Sequence, residues 1–89
     1  MHHMIDKATD ILKKYKENDL VVVTFIKKDG TRRVMKSTLK MNLIPNDKKP
    51  KQLDLTKILT KIKQGILSVF DVDVMEWRSI PMDRIEKIE

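Results

Sequence analysis

At 89 residues the chain is long enough for one domain with a modest core and too short to build a deep, water-excluding enzyme pocket easily. Hydrophobic residues make up 40% and aromatics 4%, so the core must rest on Ile, Leu, Val and Met; the absence of Cys excludes disulfides and zinc–thiolate sites and fits a reducing cytoplasm. The net charge of +6 is unevenly placed: residues 1–26 balance, residues 27–51 set nine Lys/Arg against Asp29 and Asp47, and residues 52–89 set six against seven acids. A positive excess confined to one segment can hold and steer anions, whereas scattered charge mainly aids solubility.

From the N-terminus, "MHHMIDKATD" lacks the apolar core of a secretory signal, and no later run approaches the roughly 20 apolar residues of a membrane span. The expectation is a cytoplasmic protein with no membrane partner. His2 and His3 are terminal and carry no metal-binding weight. Residues 1–18 read as a helix, with Ile5, Ala8, Ile11, Leu12 and Tyr15 at three- and four-residue spacing and Asn18-Asp19 as its stop.

Residues 19–40 read as a hairpin. "DLVVVTFIKK" is rich in β-branched residues, Asp29-Gly30 supplies a tight turn, and "TRRVMKSTL" returns antiparallel. A loop of two or three residues is compatible with the sequence, so the register stays open. Val21, Val23 and Phe25 share one face while Leu20, Val22 and Ile26 share the other, which calls for cover on both sides, with a helix sheltering part of the second. The hairpin gathers Lys27, Lys28, Arg32, Arg33, Lys36 and Lys40.

Residues 41–52, with two prolines and three lysines, form a basic loop. Residues 53–65 form a second helix: Leu55, Ile58, Leu59 and Ile62 make its stripe, Asp54 its N-cap and Gly65 its C-terminal stop. Residues 66–89 supply three short strands, with a turn at Asp71-Val72-Asp73 and a 3₁₀ turn at "PMDR" before "IEKIE". The fold expected is α+β, mainly β: a single five-stranded SH3-like (Sm-like) barrel with an N-terminal helix and a helix inserted between strands 2 and 3. Closure would remove most free sheet edges.

"VTFIKKDGTRRVMKSTL", the proline of "NLIP", and "VFDVDVMEWRSI" with its closing "IEKI" resemble the short WYL-like phage and bacterial proteins with an Sm-like SH3 β-barrel fold. The resemblance covers about residues 20–46 and 66–88 and leaves both helices outside. It implies a basic groove for anionic ligands such as nucleotides or nucleic-acid fragments, with Lys27 or Lys28, Arg33, Lys36 and Arg78 at the matching positions. A frequent Cys of that group is replaced by Ser37, whose hydroxyl can still donate to phosphate. It also implies a phage or prophage accessory protein, working in the host cytoplasm.

Arg33 and Arg78 are the strongest ligand candidates, because a guanidinium clamps phosphate with a fixed fork of donors while Lys acts as a mobile point charge. Each has a structural alternative: Arg33 as a soluble edge-strand residue, Arg78 as a partner of Asp71 or Asp73. Trp77 fits either core burial or base stacking, and if it points inward Arg78 points out. The set expected to hold ligand is Lys27, Lys28, Arg32, Arg33, Lys36, Ser37 and Arg78, helped by the 47–51 loop.

With no Cys, no nucleophile-elbow serine and no glycine-rich phosphate loop, the chain reads as a non-enzymatic binding module without cofactor or metal. The first ligand class is nucleic acid or a nucleotide. The alternative is a protein-interaction factor, a phage-encoded modulator of a host protein, using the same basic face and Val22 and Ile26. Both monomer and homodimer are compatible, the latter through "DLVVVTFI" pairing across an edge.

Overall fold

A computed structural model describes the backbone of residues 3–89 and the side chains from Ala8 onward, so the readings of His2, His3 and the Ile5 side chain lie outside the described residues. Helix α1 runs His3–Glu17, and the Asn18 backbone and side-chain amides both donate to the Lys14 carbonyl and end it. Strands β1 (Val21–Ile26) and β2 (Arg32–Thr38) form the hairpin; helix α2 spans Leu55–Lys63; β3 (Ile66–Asp71), β4 (Glu76–Pro81) and β5 (Ile85–Ile88) follow.

The sheet is antiparallel in the order β4-β3-β2-β1-β5 and is not closed. Two expectations change as a result. The edges β4 and β5 remain, one ending in Pro81 and the other four residues long, which limits pairing with other chains. β1 lies between β2 and β5, so "DLVVVTFI" is no edge and cannot pair with a second copy.

Helix α2 starts where Asp54 accepts from the Thr56 and Lys57 amides, and stops at Gly65, whose φ is +96°. Ala8, Ile11, Leu12 and Tyr15 of α1 and Ile58 and Ile62 of α2 pack in one core with Val21, Val23, Phe25, Met35, Leu67, Val69 and Ile80. Both helices therefore cover the same sheet face, not opposite ones. The second face of β1 is left half-covered: Val22 and Ile26 are half-buried and Leu20 is exposed.

Tyr15 locks α1 to the hairpin. The Ser37 hydroxyl donates its single proton to the Val21 carbonyl, so the Tyr15 hydroxyl, 2.7 Å away, is the donor to Ser37 Oγ. Burial pushes the Tyr15 phenol up to about 12.

Candidate anion-binding groove

The hairpin register decides which cations converge. Gly30 donates to the Lys27 carbonyl and Lys27 to that of Thr31, leaving a three-residue loop, 28–30, in which Gly30 has φ +89°. Asp29 accepts from both the hydroxyl and the amide of Thr31, and these bonds, with Lys27 nearby, hold its carboxyl below the usual range. The resulting pairs are Phe25 with Arg33, Val23 with Met35 and Val21 with Ser37 on the inner face; Ile26 with Arg32, Thr24 with Val34 and Val22 with Lys36 lie outside.

Arg33 thus stands at the end of the core face, beyond Phe25. On the other side of the opening, Arg78 pairs with Val69 and Ile80 with Leu67, so Arg78 shares the inner face. The expected orientation is reversed: Trp77 takes the opposite face of β4 from Arg78, half-buried beside Phe70 and against the margin of the core. Its ring meets Phe70 edge-on with centroids 5.6 Å apart, and its indole N–H donates to the Lys48 carbonyl at 2.8 Å. The 41–52 loop, with Ile44 buried, is tied to that outer face, so the 47–51 loop is anchored away from Arg78 and Lys48, Lys49 and Lys51 are outside the groove lining.

Between the hairpin tip and edge strand β4 lies an open groove of about 360 Å³. Phe25, Ile26, Ile80 and Pro81 make its apolar wall, and Lys27, Lys28, Arg33, Arg78 and Arg84 bring five cations to it. Among the described residues no carboxylate lines it. Asp71, fully buried behind it, accepts from Arg33 Nη2 at 2.7 Å and lies 3.6 Å from Arg78 Nε. Among the described residues, Lys27, Lys28 and Arg84 form no ion pair. At an effective dielectric near 20, unit charges about 4 Å apart interact by roughly 4 kcal/mol, so an incoming anion gains from cations that no carboxylate in the described lining neutralises.

Four of the expected ligand residues, Lys27, Lys28, Arg33 and Arg78, are brought together; three are not. Arg32 lies on the outer face, where its Nε donates to Glu86 at 2.8 Å and holds that carboxyl low. Lys36 is exposed on the same outer face, its backbone amide directed at Asp73. Ser37 has no exposed surface and both its hydroxyl bonds are internal, so it cannot meet a ligand. Arg78 does touch Asp71, as the structural alternative had it, yet stays 44% exposed along its side chain and open to the groove.

Arg84, in the 3₁₀ turn Met82–Arg84, was missed by sequence reasoning. The signal available was the chain reversal at "PMDR", which returns the chain beside the groove before β5. Among the described residues no group of three or more His, Cys, Asp or Glu could hold a metal ion, and no helix is long and apolar enough to cross a membrane.

A family model described as WYL_2, an Sm-like SH3 β-barrel fold, matches residues 9–86. The match takes in α2 and most of α1, both wider than the two β-rich stretches that carry the resemblance in sequence. Neither curated proteins nor solved structures provide a match. With its open five-stranded sheet, its two helices and this match over most of its length, the chain belongs to the WYL_2 family of Sm-like SH3 β-barrels.

Proposed function

We propose that the protein is a non-enzymatic, cytoplasmic module that binds an anionic ligand, nucleic acid or a nucleotide, in the groove between the hairpin tip and β4. One observation carries the reading: among the described residues, five cations and no carboxylate line an apolar-walled groove. Gathering like charges costs folding energy, so their placement is best explained by a ligand that offsets it. The apolar wall suits the face of a base or sugar, and the guanidinium forks suit phosphate.

Titrating fluorescein-labelled single-stranded DNA, RNA and duplex DNA at low salt tests this. The wild-type chain is expected to bind at least one, and Arg78→Ala with Arg84→Ala to weaken it by about tenfold or more. Equal binding by the double variant would exclude the groove.

A protein partner is the second reading, favoured by Val34, 60% exposed on the outer face, and by Val74 and Met75 at the β3–β4 turn. A partner captured from lysate that survives nuclease treatment and is lost in Val34→Asp supports it. Retention by Val34→Asp counts against it.

A further inference from the structure

The buried carboxylate behind the groove has more bonds than a simple counter-charge needs. Asp71 Oδ1 accepts from the backbone amides of Asp73 at 2.9 Å and Val74 at 3.3 Å, which fixes the carboxylate to the β3–β4 turn. Its Oδ2 faces the two arginines, with Arg33 held at 2.7 Å and Arg78 more loosely at 3.6 Å. Arg33 is 24% exposed and Arg78 44%, while Asp71 has no exposed surface at all.

On the reading of the groove as an anion site, we infer that Asp71 is its positioning residue: it fixes Arg33 as a rigid donor and leaves Arg78 shared between itself and the ligand. Since one carboxylate oxygen faces both guanidiniums, each keeps N–H donors for a second acceptor. Arg33 needs no rearrangement to use them. Arg78, more exposed and more weakly held, swings to complete the contact when an anion arrives.

Simple electrostatics and this inference predict opposite signs. Removing a negative charge from behind a cationic groove should tighten anion binding if Asp71 only balances charge. If Asp71 positions the arginines, Asp71→Asn weakens it, by about tenfold, despite the added net positive charge. Labelled single-stranded DNA, RNA and duplex DNA serve as probes, with circular dichroism confirming that the variant is folded. Equal or tighter binding by folded Asp71→Asn overturns the inference.

Because Asp71→Asn can fail to fold, a second measurement uses the wild-type chain. Guanidinium Nη resonances should show restricted rotation for Arg33 without probe, and for Arg78 only once probe is added. Free rotation of Arg33 overturns the positioning role. A wild-type chain that binds no probe overturns the anion-site reading instead, with the Arg33 resonances still reporting whether Asp71 holds that side chain.

Discussion

Arg84 and Arg32 make the cleanest contrast between neighbouring cations. Arg84 lines the groove with no ion pair among the described residues, so Arg84→Ala should leave stability within about 0.5 kcal/mol while weakening probe binding several-fold. Arg32 is paired with Glu86 on the outer face, and Arg32→Ala should change affinity by no more than about twofold, since its guanidinium is turned to the other side of the hairpin and already met by a carboxylate. Fluorescence anisotropy on the two variants checks both; equal losses would contradict the assignment. Arg33→Ala is a poorer probe, because stripping one partner from the fully buried Asp71 costs about 3–5 kcal/mol of stability on its own. Arg33 and Arg78 were visible in sequence as arginines beside a turn and beside the Trp. Arg78's direction was not, because it depends on which face Trp77 takes, and there Trp77 meets Phe70 and the carbonyl of Lys48, 29 residues away along the chain. Ser37 looked like a phosphate donor only because its partner Tyr15 is 22 residues away along the chain.

At the level of elements, the hairpin carries the site through its turn. A one-residue slip would exchange the faces of β2 and put Arg32, not Arg33, beside Phe25. The three-residue loop prevents this, and Gly30 at φ +89° is what allows it. A Cβ there would meet nothing within 4 Å, so Gly30→Ala costs only its backbone conformation, about 1 kcal/mol by urea unfolding. No loss would show that the loop adopts another geometry. Tyr15 joins α1 to the same hairpin, and its raised phenol has a sign that can be checked. The buried neutral form contributes stability that is complete below the unfolded value of about 10 and is lost as pH rises towards about 12. Stability should therefore fall by roughly 2–3 kcal/mol across that window, and Tyr15→Phe should remove most of this slope at a cost of about 1 kcal/mol near neutrality. A variant retaining the full slope would place the titration elsewhere. The hairpin and α2 were legible because Asp29-Gly30, Asp54 and Gly65 are local signals. The single-face cover by both helices was not, since the sequence of β1 shows only that both its faces are apolar.

For the whole molecule, the excess of the 27–51 segment does not gather in one place. It divides between the groove, the outer face of the hairpin and the loop tied to Trp77, and the groove instead recruits Arg78 and Arg84 from the nearly neutral last third of the chain. Composition located the charge, but the open edge of the sheet chose which of it converges. The salt dependence of binding tests that most directly. For single-stranded probes, each phosphate contact adds about 0.7 to the slope of log affinity against log salt. Losing Arg78 and Arg84 together should flatten the wild-type slope by about 1.4, and losing Arg32 with Lys36 should leave it unchanged. Slopes that change alike in the two double variants would contradict a groove and leave only a diffusely basic surface.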